Sequence, residues 1–519
     1  QPDMILCEKA DKTGKDKIKS LEELPKILAA LRSDGKKIVH CHGAFDLLHI
    51  GHIRHFQEAR TFGDILVVTI TPDRHINKGP DRPAFGEQLR AEAVAALACV
   101  DYVAVNRWPM AMEIIKLLKP HFYVKGSEYR EAEKDITGGI TLERLAVESA
   151  GGRLVFTDDL TFSSSNLINR HLAVLPKEVS DYLADFSRRY GHDDIMRYLD
   201  AARTLRVLMI GETIIDEYQY CESIGKSGKE PILAAKYAYS EKFAGGVLAA
   251  ANHVASFSDR VSLLTFLGTV DSHEEFIRER LHPGVEPLFL YMENAPTILK
   301  RRFVELYPFQ KIFELYIMNG DEGNSKESQD LCGRLREILP QYDAVIVTDY
   351  GHGMISPEAV DVLCRESRFL AVNTQVNAGN QGFNTVSRYP KADYICVSEK
   401  ELRLDARSRK RDLRDIVGEA ARKHDCEQIV VTRGRSGSLA YSKEDGFFET
   451  PALTNRIVDR VGAGDAVFSL TSLLAAQKAP MELLSFVGSV AGAQAVVTVG
   501  HRKSLERVAL GKHIASLLK

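Results

Sequence analysis

Two short stretches hold most of the residues whose types and spacing could do chemistry. One is Asp459-Arg460-Val461-Gly462-Ala463-Gly464-Asp465. Gly462 and Gly464 let backbone N–H groups turn inward where a helix should begin, and the dipole and unpaired donors there favour anionic oxygens. Asp465 follows at once, placed to accept a hydroxyl proton beside that anion hole. The other stretch, far upstream, is His42-Gly43-Ala44-Phe45-Asp46-Leu47-Leu48-His49-Ile50-Gly51-His52. His49 and His52 stand i, i+3 at a strand–loop–helix junction, where both imidazoles could face one phosphate as charge builds during transfer. A pair of helix-surface histidines is the alternative reading of HxGH alone.

Alternating strands and helices must position both stretches. Ser20 and Glu23 suggest a capping box, with Leu21, Leu24, Ile27, Leu28 and Leu31 at helical spacing after it. Lys37–Cys41 reads as a buried strand entering the Gly43 loop, Ile53–Arg60 as a helix and Asp64–Ile70 as the next strand. Further on, Arg206–Gly211, Ala344–Asp349 and Ile429–Thr432 read as apolar strands delivering Gly211, the Asp349-Tyr350-Gly351 string and Gly434 to one rim. The expected fold class is α/β, with two doubly wound parallel sheets and ligands at the carboxyl ends of the strands. Leu183, Phe186, Tyr190, Ile195 and Leu199 suggest connector helices between them, broken at Gly191-His192-Asp193-Asp194. The expected division is an N-terminal arm and helix (1–35), a first catalytic domain (36–170), a helical connector (171–203) and a second catalytic domain (204–519).

With Lys78-Gly79-Pro80-Asp81-Arg82-Pro83, Arg90 and Tyr123-Val124-Lys125-Gly126 following in order, residues 36–170 resemble the cytidylyltransferase-like nucleotidyltransferases. Within these the resemblance is to the Rossmann-like sugar-phosphate adenylyltransferase module of bacterial heptose activation. It implies that His49 and His52 stabilise the α-phosphate during in-line displacement and that Lys125 helps neutralise phosphate. It implies nucleotide contacts at Gly43, Phe45, Gly51 and Arg90, and at Ser163, Ser164 and Ser165 within Thr161-Phe162-Ser163-Ser164-Ser165. A plain helix N-cap is the other reading of those serines. Lys78 and Arg82 are either solvated charges or groups that close over the triphosphate.

Gly462–Asp465, taken with Glu212–Tyr218, Phe243-Ala244-Gly245-Gly246, Asn252 and the strands above, resembles the ribokinase-type (PfkB) sugar kinases over 204–519. That likeness makes Asp465 the base for the sugar hydroxyl. The backbone of Gly462, Ala463 and Gly464 becomes the anion hole, and Gly434 a nucleotide contact. Asp216, Gly245, Gly246, Asn252 and Arg302 become sugar contacts, and Thr297 with Lys300-Arg301-Arg302 a substrate-side strand. Exposed strand charge is the other reading of Arg301 and Arg302. Where the family has Asn-x-x-Glu to organise magnesium, this chain has Ser398-Glu399-Lys400-Glu401. Glu401 is left as an indirect metal group, and serine can hold a metal-bound water. Arg460 replaces a threonine, which the resemblance tolerates if the side chain points away. Asn373-Thr374-Gln375 and Asn377-Ala378-Gly379-Asn380 form an amide-rich loop for turns or for ligand.

The bulk numbers suit a globular enzyme. The chain has 519 residues, 45% hydrophobic and 27% charged, and a formal charge of −3 that gives no reason to expect nucleic acid or an anionic membrane as partner. No apolar run approaches the roughly 18 residues of a bilayer span. Eight cysteines are scattered without a CxxC pair, which suggests reduced, mostly buried thiols in a cytoplasmic protein. A sugar kinase fused to a nucleotidyltransferase implies small-molecule partners: a sugar phosphate and nucleotides, with ATP as substrate, Mg²⁺ as cofactor, and a homodimer. The combination resembles the bifunctional heptose-phosphate kinase and heptose-1-phosphate adenylyltransferase family, in which the kinase comes first; here the order is reversed. That implies phosphorylation of a heptose 7-phosphate at the anomeric position, then formation of ADP-heptose for lipopolysaccharide. A CDP-linked product from another sugar or polyol, or a nucleotide sensor with one inactive module, are the competing readings.

Overall fold

The computed structural model describes residues 14–76, 78–79, 82–129, 139–157, 175–319 and 325–518. They divide into two units, one running to Pro176 and including Gly511–Leu517, the other from Lys177 to Leu510.

In the first unit, β1 (Ile38–Gly43), β2 (Ile65–Ile70), β3 (Tyr102–Val105), β4 (Phe122–Lys125) and β5 (Arg153–Phe156) form one parallel sheet in the order β3-β2-β1-β4-β5. Their apolar runs follow from burial on both faces. Leu24, Leu28, Ile114 and Leu118 pack on one side, Phe56, Ala91 and Val94 on the other. Ser20 and Glu23 exchange reciprocal bonds of 3.2 Å ahead of the helix Leu24–Ser33. The strand order reverses between β1 and β4, so the crevice at their carboxyl ends is where a ligand is expected.

The second unit has nine main strands: β6 (Arg206–Gly211), β9 (Arg260–Val270), β10 (Val285–Pro296), β13 (Ala344–Asp349), β14 (Leu370–Thr374), β15 (Tyr394–Ser398), β16 (Gln428–Thr432), β17 (Ser438–Ser442) and β18 (Gly446–Thr450). Their order is β10-β9-β6-β13-β14-β15-β16-β17-β18, parallel as far as β16 and antiparallel beyond. The reversal of order here lies between β6 and β13. A separate sheet, β12-β11-β7-β8, is built from β7 (Thr213–Lys226), β8 (Leu233–Gly246), β11 (Ile298–Glu305) and β12 (Gln310–Ile317). It forms from strands that leave the main sheet after β6 and β10. Central to the unit is the helix Ala463–Ala476, buried almost throughout. Its small residues allow close approach to the Ala-rich helix Val247–Ala255, where Ser469 donates to the Ala250 carbonyl at 3.3 Å.

The helices Lys177–Arg189 and His192–Ala201 pack within this second unit. Phe186 stacks on Phe486 at 4.3 Å, and Arg189 pairs with Glu482 at 2.7 Å. Seven cysteines are free among the described residues; Cys7 lies outside them. No helix among the described residues is long and apolar enough to cross a membrane.

Candidate active sites

In the first unit the helix after β1 is longer than its periodicity suggests. It spans Ile50–Arg60 with His49 as N-cap, so His49 and His52 sit on its first turn. Their rings stack at 3.9 Å and 25°. His49 Nδ1 accepts the Gly51 N–H at 3.1 Å. That bond makes Nδ1 the unprotonated nitrogen and leaves the proton on Nε2, which is buried and without a hydrogen-bond partner among the described residues. Burial lowers the pKa of His49 and pushes that of His52 down to about 3, so both rings are neutral donors at pH 7 before an anion arrives. Phe45 meets the His52 ring edge-on at 5.2 Å and holds a left-handed φ of 45°. A Cβ on Gly43 would lie 2.9 Å from the Phe45 ring, which is why that position must be glycine. Deeper in, His40 Nε2 and His42 Nδ1 each bond Thr69 Oγ1 at 2.8 Å.

Arg90, expected as a nucleotide contact, serves as a support. Arg90 is 2% exposed, and its guanidinium binds the carbonyls of Phe85 (2.8 Å), Thr71 (2.9 Å) and Ala44 and the Asp73 carboxylate (2.5 Å). With most of its donors committed, it braces the loop after β1 instead of receiving phosphate. Asp46 takes the N–H of Ala84 at 2.7 Å and pairs with Arg82 at 3.0 Å, tying the same loop to the residues after Lys78. Lys125, at the end of β4, faces Glu143 at 3.0 Å. Burial works against its charge, but Tyr123, Glu143 and Tyr129 outweigh it and the ammonium stays protonated. Ser163, Ser164 and Ser165 lie outside the described residues.

In the second unit a cavity of about 490 Å³ gathers Asp216, Gly246, Arg302, Glu401, Gly434, Gly462, Gly464 and Asp465. Gly462, φ 81°, caps the helix that begins at Ala463. A Cβ there would lie 2.4 Å from the His501 ring. Ala463 is the first helical residue and is not among the lining residues. Asp465 Oδ1 accepts the Tyr350 hydroxyl at 2.8 Å, and burial raises the carboxyl's pKa. Asp216, on β7, is also buried, which would raise it, but Arg302 and His501 outweigh burial and hold it well below the usual carboxylate range. A Cβ on Gly245 would strike Asp216 Oδ2 at 2.1 Å. Across the strand reversal, Glu212 accepts the N–H groups of Tyr350 and His352, both at 2.9 Å, and fixes the loop that presents Tyr350.

Three expectations change here. Asn252 does not reach this cavity: its amide holds the Arg280 carbonyl at 2.9 Å and the His282 N–H at 2.7 Å, beside a neighbouring cavity. Arg302 reaches the cavity but is committed to Asp216 and, at 3.2 Å, to Glu314. Arg460 is one of the residues that line the cavity. Ser398 caps the helix Glu399–Asp405 by accepting the Glu401 N–H at 3.3 Å. In the amide-rich loop, Asn373 and Gln375 line the cavity, while Asn377 and Asn380 bond the Tyr350 carbonyl at 2.7 and 3.0 Å.

The Glu401 carboxylate receives the N–H of Ser398 at 2.8 Å and of Val376 at 3.1 Å. No group of three or more His, Cys, Asp or Glu among the described residues could hold a metal ion. One carboxylate at the cavity wall suits an ion that arrives with phosphates and waters as its other ligands, as Mg²⁺ does. Lys300, Tyr350 and His501 line the cavity too. Nothing in the local pattern around Tyr350 or His501 distinguishes either; only the fold brings them to Asp465 and Asp216.

Comparisons with known proteins agree with the two-part organisation. Residues 204–507 match the pfkB family carbohydrate kinases, and residues 40–170 match the cytidylyltransferase-like family. The protein is similar to the "Bifunctional protein HldE" of Geobacter sulfurreducens, 39% identical over 170 residues, 32% of this chain and 33% of that protein. It is 41% identical to that of Pelobacter propionicus over 161 residues, 30% of this chain and 31% of that protein. The chain spans about a third of the length of these relatives in the matched region. A phosphofructokinase-2 mutant from Escherichia coli superposes with a TM-score of 0.50 at 16% identity, covering 61% of this chain and all of that one, a likeness of fold. The chain therefore belongs to the pfkB carbohydrate kinase family and carries a cytidylyltransferase-like module ahead of its kinase fold.

Proposed function

We propose that the second unit phosphorylates a sugar, a heptose 7-phosphate by resemblance, at its anomeric hydroxyl with ATP to give the 1,7-bisphosphate, and that the first unit, once a separate phosphatase has hydrolysed the 7-phosphate, converts the heptose 1-phosphate to a nucleotide sugar, ADP-heptose. The observation that carries the reading is one cavity lined at once by the glycine turn, Asp465, Asp216 and Arg302. The printed name of the relatives, a bifunctional protein, supports two activities in one chain. Dimerisation of the chain and a cytoplasmic location belong to the same proposal.

In the first step Asp465, oriented by Tyr350, takes the proton of the sugar hydroxyl as that oxygen bonds to the γ-phosphorus and the bond to ADP breaks. The backbone donors at the start of the helix Ala463–Ala476 receive the phosphoryl oxygens. Asp216, kept ionised, accepts sugar hydroxyls. Glu401 is the residue that would hold Mg²⁺, whose charge offsets that of the phosphates when bound. In the second step a phosphate oxygen of the sugar 1-phosphate attacks the α-phosphorus of ATP and pyrophosphate leaves. His49 Nε2–H and His52 donate to the α-phosphate as its charge grows, and Lys125 neutralises the neighbouring oxygens.

The test separates the steps. Asp465→Asn should abolish ADP formation with heptose 7-phosphate yet leave pyrophosphate release from ATP and supplied heptose 1-phosphate. The double change His49→Ala with His52→Ala should do the reverse, and a panel of nucleoside triphosphates fixes the base. Either variant retaining both steps would sink the assignment.

A further inference from the structure

Of the three basic residues on the substrate-side strand, Lys300 lines the catalytic cavity, while Arg301 and Arg302 are neutralised inside the protein. Arg301 is paired with Glu217, Arg302 with Asp216 and Glu314. Next to the catalytic cavity, and sharing His501 with it, lies a second one of about 580 Å³. β8 runs along both: Ser240–Ala244 line the second cavity and Gly246 the first. The second cavity therefore extends from the Asp216 end of the catalytic one.

Its charge is unbalanced. Four cations line it against two carboxylates, and Glu241 is already paired with Arg502 at 2.5 Å. Lys242 and Lys503 make no side-chain hydrogen bond or ion pair among the described residues, and the Arg280 guanidinium lies over the Phe276 ring at 5.6 Å with no carboxylate partner. Asn252, clamped between the Arg280 carbonyl and the His282 N–H, fixes the backbone that carries Arg280. Uncommitted cations on a walled concave surface are the chemistry that recognises a dianion.

We propose that this second cavity binds a phosphate group carried by the sugar at the end remote from the hydroxyl presented to Asp465, through Lys242, Lys503 and Arg280. It rests on the kinase reading above and adds to it the residues that would select a sugar phosphorylated at its far end. The phosphate supplies binding to ground and transition states alike, so its loss is read in KM more than in kcat.

The full chain carrying Lys242→Ala with Lys503→Ala is compared with the wild type on heptose 7-phosphate and on the unphosphorylated heptose. KM for heptose 7-phosphate should rise roughly tenfold or more with kcat within about twofold, and KM for the unphosphorylated heptose should not move. KM for ATP and nucleotidyl transfer to heptose 1-phosphate should also be unchanged. An unchanged KM for heptose 7-phosphate, or an equal rise for both sugars, overturns the proposal while leaving the kinase reading intact. Calorimetric titration of inorganic phosphate into the full chain with its nucleotide sites filled by ADP gives a readout without turnover. One binding event present in the wild type and lost in the variant supports the cavity even if no heptose is phosphorylated, an outcome that would count against the kinase reading alone. No difference between the two titrations overturns it.

Discussion

Asp465, the proposed base, has a proton affinity set by its surroundings. Burial raises its pKa, and the Tyr350 hydroxyl, donating to Oδ1 at 2.8 Å, works in the opposite direction by stabilising the ionised form. Tyr350→Phe should therefore move the acidic limb of the phosphorylation pH profile upward and lower kcat by roughly tenfold, the worth of one hydrogen bond to a charged group. A profile that keeps its limb while kcat falls would mean that Tyr350 acts only through packing. Single-residue roles were legible in the sequence where the backbone dictates them. Gly462 and Gly43 sit where a neighbouring ring, His501 or Phe45, excludes any side chain. Roles that depend on which neighbour a side chain finds were not legible: the resemblance that implies a nucleotide contact at Arg90 says nothing of the carbonyls that consume its donors.

Among the elements, the parallel strands were legible because burial on both faces writes them as uninterrupted apolar runs, as at Arg206–Gly211 and Ala344–Asp349. The separate four-stranded sheet was not. Its strands are half exposed and mix charge with aromatics, and their pairing joins β7 to β11 across a long stretch of chain. The same exposure has a consequence. Ile224 on β7, Leu233, Tyr237 and Tyr239 on β8, and Phe313 and Leu315 on β12 are all more than two-fifths exposed, and Phe313 and Leu315 share one face of the sheet with Phe303, an apolar patch left in water. A second copy of this chain would cover it. Light scattering should give twice the chain mass of 57.8 kDa, and Phe313→Glu with Leu315→Glu should halve it. A wild-type chain that runs as a monomer at micromolar concentration would remove the idea.

On the scale of the whole molecule, buried histidines make stability depend on pH. Burial pushes His40, His52, His253 and His352 to about 3 and His55 and His513 to about 4. The unfolded chain takes up these protons near pH 6.5 and the native one does not, so stability is complete above that pH and falls as pH drops toward the folded values. His40 alone accounts for about 2 kcal/mol between pH 7 and 5. The denaturation midpoint should fall steeply over that interval, and a flat profile would contradict the burial of these rings. A different buried group links the small sheet of the second unit to its glycine turn. Asp459 accepts the Tyr218 hydroxyl of β7 at 2.7 Å, the Lys311 ammonium of β12, the Gly500 N–H at 3.0 Å and the Val461 N–H at 3.1 Å. Swinging the small sheet outward would strip two donors from that carboxylate, leaving a desolvated charge at the root of the glycine turn. The seating of the small sheet and the shape of the glycine turn thus hang on one carboxylate, and neither can shift without taking donors from the other.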